Sequence, residues 1–184
     1  MKCTTWISKT KLLLIAVLVV LFSSCSKDDP AADPKMGESF EGGIVFYLDG
    51  TGKHGLAAAP NDQSINTPWF NGSFVATNAM SLTDGSANTT AIINAQGSTG
   101  SYAAKLCRDF RGGGKTDWFL PSKDQLNLLY AKKTLVGGFS NNIYWSSSEY
   151  DIGNAWVQHF LDGLQHLDNT SDGATVGTRA IRAF

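Results

Sequence analysis

Residues 117–130 read Asp117-Trp118-Phe119-Leu120-Pro121-Ser122-Lys123-Asp124-Gln125-Leu126-Asn127-Leu128-Leu129-Tyr130. This stretch joins an extended approach to the start of a helix. Leu120 precedes a proline, whose ring disfavours the helical region for the residue before it. Ser122 is then a good N-cap, and Gln125 three residues on completes a capping box. Leu126, Leu129 and Tyr130 supply the predicted buried stripe. Gly137-Gly138 marks the exit from this segment.

Working outward, the preceding segments are helical. Tyr102, Leu106 and Phe110 recur four apart beside Ala103 and Cys107, which predicts one amphipathic face over Ser101 to Phe110. A helix over Thr89 to Gln96 is expected before it, capped by Thr89 or Thr90, with Ala91, Ile92 and Ala95 on one side. Residues 61–88 read as a long loop pinned by Trp69, Phe70 and Phe74. Gly43 to Leu48 and Gly55 to Pro60 read as a hairpin about Asp49-Gly50. Downstream lie a strand over Tyr144 to Tyr150, a strand over Asn154 to Leu161, an Asp162-Gly163 turn, a return over Leu164 to Leu167, and a closing strand over Val176 to Phe184. The order is strands, helices, then an antiparallel meander, so the fold class is α+β. A doubly wound sheet needs a βαβ series that the chain lacks, and no repeat of twenty to fifty residues occurs.

The 184 residues begin with a different kind of segment. Lys2, Lys9 and Lys11 precede an unbroken apolar run, Leu12 to Phe22. That run is too short for an ordinary spanning helix and suits a signal peptide over residues 1–24. Leu21-Phe22-Ser23-Ser24-Cys25 resembles the lipobox of bacterial lipoproteins, which implies cleavage before Cys25 and acylation of its sulfur, palmitate included. Ser26-Lys27-Asp28-Asp29 is similar to the lipoprotein export signal of Bacteroidota. That likeness implies an outer-membrane protein facing the cell exterior, its partner the bilayer that holds acylated Cys25. The proline-bearing residues 25–37 read as a tether, and residues 38–184 as the folded domain.

Charge and cysteine content narrow the chemistry. Fifteen Lys and Arg face sixteen Asp and Glu. Without residues 1–24 there remain 12 basic and 16 acidic residues, a formal −4, and no nucleic-acid partner is expected. Once Cys3 leaves and Cys25 is acylated, Cys107 stands alone in an apolar helical context and reads as a small core residue. His159 and His166 flank a turn and can approach across a hairpin, but no third ligand is tied to them, so no metal and no cofactor is assigned. Asn61 and Asp62 offer oxygens of the kind calcium takes, without regular ligand spacing. No Gly-x-Ser-x-Gly elbow occurs. Gly112-Gly113-Gly114-Lys115 lacks the full nucleotide-loop pattern and follows a helix. No catalytic residue is assigned, and the chain does not read as an enzyme.

The stretch Asp117 to Tyr130 resembles the hallmark of the Lcl C-terminal-domain family, which overlaps the major paralogous domains of bacterial surface proteins. Tyr144-Trp145-Ser146-Ser147-Ser148-Glu149 is similar to the second hallmark of that family. Gly43-Ile44-Val45-Phe46-Tyr47, Asn88-Thr89-Thr90-Ala91-Ile92 and the closing Arg179-Ala180-Ile181-Arg182-Ala183-Phe184 follow in the same order, so the likeness covers residues 40–184. It implies a C-type lectin-like fold, with two main helices packed against an irregular antiparallel sheet. The Glu-Pro-Asn, Gln-Pro-Asp and Trp-Asn-Asp triplets of calcium-dependent lectins are missing. Asp117, Trp118, Leu120, Pro121, Ser122, Tyr130, Trp145, Ser146 and Ser147 are expected to maintain the fold.

Three functions follow as expectations. The first is a surface-anchored binding or adhesion module that recognises a glycan or a protein through loops. Trp69, Phe70, Glu149, Tyr150, Asn154, Gln158 and His166 are its candidate ligand-binding residues. The second is a structural or assembly subunit of a cell-surface complex. The third is an envelope polysaccharide enzyme, for which no carboxylate pair stands out.

Overall fold

The computed structural model describes residues 33–140, 143–172 and 174–184. The expectations for the signal segment, for Cys25 and for Ser26, Lys27, Asp28 and Asp29 lie outside the described residues. In chain order the elements are β1 (Ser39–Phe40), β2 (Gly43–Leu48), β3 (Gly55–Ala58), α1 (Gly85–Gln96) and α2 (Ala103–Asp109). A single 3₁₀ turn, Gly112–Gly114, precedes α3 (Lys123–Ala131) and α4 (Lys133–Val136). The chain closes with β4 (Ile143–Asp151), β5 (Asn154–His159), β6 (Gln165–Asn169), β7 (Val176–Gly177) and β8 (Ile181–Ala183).

The described fold is α+β, with two four-stranded sheets. One runs β1-β2-β3-β8 and is antiparallel throughout, so the first and last strands of the domain share it. The other runs β6-β5-β4-β7, with a short parallel pairing of β7 on β4 at its edge. Trp69, Trp118, Trp145, Tyr102 and Ile92 pack in one buried cluster, and Phe46, Leu126, Leu129, Tyr144, Phe160 and Ile181 in a second. Each fully buried tryptophan removes about 150–250 Å² from water, a gross gain of roughly 4–6 kcal/mol before entropy is charged against it.

The segment leading into α3 holds these parts together. Ser122 caps α3 by accepting from the Gln125 amide at 3.4 Å, and the Gln125 side chain accepts in return from the Ser122 amide at 3.0 Å. That same Gln125 oxygen takes the Gly85 amide at 3.0 Å. A Cβ on Gly85 would stand 2.6 Å from the Leu120 carbonyl oxygen, so only glycine lets α1 begin there. Thr89 exchanges hydrogen bonds with the Leu120 backbone, Phe119 forms a two-way bridge with Ile181, and the Pro121 carbonyl accepts from the Ser147 amide at 2.7 Å. Of the residues expected to maintain the fold, Trp118, Leu120, Pro121, Ser122, Trp145, Ser146 and Ser147 are buried, whereas Asp117 is exposed and acts through its pair with Arg182. Tyr130 is half-buried and meets Phe160 edge-on, with ring centroids 5.6 Å apart.

Several sequence expectations need correction. α1 starts at Gly85, capped by Asp84, which accepts from the Ala87 amide at 2.9 Å. Thr89 is therefore a buried mid-helix residue rather than a cap, and Ala95 is exposed. On α2 the buried side is Ala103, Ala104 and Cys107, while Leu106 is only half-buried. Burial pushes the Cys107 thiol well above its usual range, as an inert core cysteine requires. Gly112–Gly114 is a packing device: a Cβ on Gly42 would lie 2.1 Å from the Gly113 nitrogen, so two backbones touch there.

The expected closing strand is two strands in two sheets, β7 and β8, with a buried crossing between them. Arg179 lies in that crossing and is fully buried. Its Nε donates to Asp62 at 2.7 Å, and its other nitrogens donate to the carbonyls of Ala59, Gly137 and Gly138. The guanidinium also sits 4.0 Å over the Phe139 ring. Tyr144 donates to the second Asp62 oxygen at 2.8 Å, and burial first, then Asp62, pushes its phenol up to about 12. Both Asp62 oxygens thus accept from core donors, while Asn61 is exposed.

Arg182 ties the end of the chain to its neighbours. It pairs with both oxygens of Asp117, at 2.9 Å each, and with Glu41 at 2.5 Å. Glu41 also pairs with Lys115 at 2.6 Å. The Lys115 contact holds the Glu41 carboxyl below its ordinary 4.5, and the Arg182 contact holds Asp117 below 3.8. A carboxyl lowered in the folded state stabilises above its ordinary value and stops doing so as pH falls through the lowered one. Thermal melts from pH 6 to pH 2 should therefore show a loss of stability beginning below about pH 4.5. Arg182→Met should flatten the part contributed by Asp117; an unchanged acid limb in that variant would refute the assignment.

Candidate functional site

The seven ligand-binding candidates do not converge on one place. Trp69 is 1% exposed and donates its indole N–H to the Ser146 carbonyl at 2.8 Å, so it is a core anchor. Glu149 is buried, and both its oxygens accept the Thr77 amide, at 3.0 and 3.1 Å. Gln158 is fully buried and donates to Asn127 at 2.8 Å and to the Gly163 carbonyl at 3.1 Å. These three serve packing, because each buried polar atom is spent on an internal partner. Phe70 is half-buried, packs on the core and lies 4.9 Å from Phe74 in the loop before α1.

His166 lies opposite Val157 in the β5–β6 register, hence on the sheet face away from Trp156. Its ring meets that of His159 at 4.8 Å, so the two histidines do approach across the hairpin. His159 Nδ1 is 3.8 Å from Asp162. Among the described residues no group of three His, Cys, Asp or Glu side chains is arranged to hold a metal.

Tyr150 and Asn154 remain, and the structure adds two residues to them. Tyr150 is 53% exposed and meets the half-buried Trp156 edge-on, with ring centroids 6.2 Å apart. The Lys123 ammonium stands 3.8 Å from the centre of the Trp156 ring. That distance is a cation–π contact, worth about 0.5–1 kcal/mol at a partly exposed site. The aromatic pair and the cation come from three elements: the end of β4, the middle of β5 and the first turn of α3.

Their positions follow from the local hydrogen bonds. The capping box at Ser122 orients the first turn of α3, and the Ser148 hydroxyl accepts the Lys123 amide at 3.0 Å. Gln165 on β6 donates to the Lys123 carbonyl at 3.0 Å and to Gln158 at 3.3 Å, which moors β5 and β6 under the start of α3. Trp156, two residues from Gln158 on the same strand face, is thereby held beneath Lys123. Beside the rings, the β4–β5 turn is closed by Asp151, which accepts the Gly153 amide and the Asn154 side-chain amide, both at 2.9 Å. The Gly153 amide first, then Asn154, lowers the Asp151 carboxyl below its ordinary value, so the turn presents a fixed anion. The result is a small amphipathic surface with an aromatic pair, one cation, one carboxylate and a carboxamide.

Two grooves lie elsewhere. One, of about 330 Å³, runs between Asn61, Gln63, Leu106, Asp109 and Phe110. The other, of about 240 Å³, lies between Lys133, Gly138, Phe139, Ser140 and Leu161. Neither contains a residue of the Tyr150–Trp156 surface.

Sequence reading passed over Trp156 and Lys123. Trp156 falls between Asn154 and Gln158 in a period-two stripe, so the signal for it was present. Lys123 carried none, because its contact with Trp156 exists only once α3 is set against β5. No family model matches the chain, and no curated protein matches it. Among the described residues no helix is long and apolar enough to cross a membrane.

The division between buried and exposed candidates can be measured by thermal unfolding. Glu149→Ala and Gln158→Ala should each cost about 1–3 kcal/mol, because partners are left unpaired in the interior. Tyr150→Ala should change stability by less than about 0.5 kcal/mol, as at other exposed positions. The reverse order would mean that the interior and the surface had been assigned wrongly.

Proposed function

We propose that this protein is a surface-anchored, non-catalytic binding module that recognises a glycan. In this reading the α+β domain is a C-type lectin-like scaffold of the Lcl C-terminal kind. Acylated Cys25 holds it on the outer membrane, facing outward. The observation that carries the reading is the Tyr150–Trp156 pair, with Lys123 over the Trp156 ring and Asp151 and Asn154 in the adjoining turn. A sugar ring offers an apolar C–H face and a rim of hydroxyls. Aromatic rings suit the face, and carboxylate, carboxamide and ammonium groups suit the rim.

A second reading, a protein partner in a surface assembly, is favoured by one further feature. Leu82, 43% exposed, adjoins the first turn of α3 through the bond from the Asp124 amide to its carbonyl, and adds an exposed apolar side chain to that region. Glycan-array binding by the purified chain separates the two readings. The glycan reading expects retention of a defined set of sugars, with Tyr150→Ala weakening binding by about tenfold or more, as loss of an aromatic anchor does. No retained sugar, or equal binding by the variant, would reject it.

A further inference from the structure

We infer that the strip formed by Met36, Leu128, Lys132 and Leu135 is the face that rests on the bilayer. This rests on the proposed acylation of Cys25 but concerns a different surface from the aromatic one. Leu128 and Leu135 are 40% and 44% exposed, and Lys132 stands between them at spacings of four and three. Lys132 is the break between α3 and α4, with φ −115° and ψ 15°, and its carbonyl accepts the amides of Leu135 and Val136 that open α4. Leu128 before the break, Lys132 at it and Leu135 after it are all exposed. The opposite side of the same helices, Leu126, Leu129 and Val136, is buried.

The chain enters the domain beside this stripe. The Gly37 amide donates to Val45 at 2.8 Å, and a Cβ on Gly37 would stand 2.6 Å from Leu135 Cδ1. Leu135 thus lies over the point of entry, and Met36, 39% exposed, directly precedes Gly37 in the chain. Only eight residue steps separate Cys25 from Asp33. Fully extended they reach at most about 30 Å. A folded unit of this length measures roughly 40 Å across, so the face at the point of entry is the one that an acylated Cys25 keeps closest to lipid.

The chemistry of the stripe agrees. Apolar side chains flanked by Lys35 and Lys132 suit the boundary between acyl chains and headgroups, where lysine stems lie along the apolar zone and their ammonium groups stay in water. Glu38 is 3.8 Å from Lys35, and Asp33 and Asp124 lie at the margins, so attraction to anionic headgroups is a minor part of the contact.

The test uses the full acylated chain carrying Leu135→Cys, labelled with a polarity-sensitive dye and placed in phosphatidylethanolamine–phosphatidylglycerol vesicles. Cys107 is buried and an acylated Cys25 has no free thiol, so the label goes to position 135. Ile152→Cys, in the β4–β5 turn, serves as the control position, and Leu128→Cys repeats the test on the same stripe. The dye at 135 should shift to the blue on vesicle insertion and lose accessibility to an aqueous quencher by about threefold or more, as at an interfacial depth of several ångströms. The dye at 152 should do neither. Equal quenching at 135 and 152 in acylated protein would overturn the inference while leaving the anchor intact. Protection at 135 that grows with protein concentration in detergent, without vesicles, would assign the stripe to a second copy instead. An intact mass lacking acyl chains would overturn the anchor and the inference together.

Discussion

The backbone of residues 119–122 is the constraint on which the other elements depend. Four neighbours grip it within four residues. Ile181 of β8 bonds Phe119 in both directions, Thr89 of α1 holds Leu120, Ser147 of β4 donates to Pro121, and Gln125 of α3 holds Ser122. A short extended segment therefore joins both sheets and two helices without belonging to any of them. Proline contributes by fixing the approach and by having no amide to satisfy. Removing one of these bonds in the dry interior exposes no compensating water, so each buried group depends on the others being in place.

The same segment sets the geometry of the aromatic surface. Lys123 follows Ser122 directly, so the capping box that starts α3 also determines where the ammonium stands. Gln165 and Gln158 carry that position across to β5, and Trp156 follows from its place on the strand. The exposed surface is thus built on rigid elements rather than on long loops, which lowers the entropy lost when a ligand docks. Leu128 and Leu135 lie toward the other end of the α3–α4 segment, on either side of the break at Lys132. One run of about fourteen residues, Lys123 to Val136, therefore carries features of both surfaces.

Much of this was legible in the amino-acid order. Ser122 with Gln125, the apolar spacing of α3, the β2–β3 hairpin and most of the loop expected over residues 61–88, whose last four residues are instead the first turn of α1, rest on local chemistry, which sequence expresses directly. The start of α1 was hidden because Gly85 counts against a helix until its contact with Leu120 and Ser122 is seen. Arg179 was hidden for a related reason: alternation predicts an exposed arginine in a strand, whereas a cage of carbonyls and Asp62 lets this one lie in the core. For the site, Tyr150 and Asn154 were nominated by residue type alone, at the ends of the strands expected over Tyr144 to Tyr150 and Asn154 to Leu161. Trp69, Glu149 and Gln158 carry the same residue chemistry, and only their burial separates structural from surface roles.

Native-state hydrogen exchange of the Phe119, Leu120, Ser147 and Ile181 amides tests the central constraint most directly. If the gripped segment joins the two sheets and the helices, these four amides open only with the whole domain, at the same free energy as the slowest-exchanging amides in β4 and β5. Opening of this set at a clearly lower free energy than the β4–β5 ladder would show that the segment is a passenger on the fold.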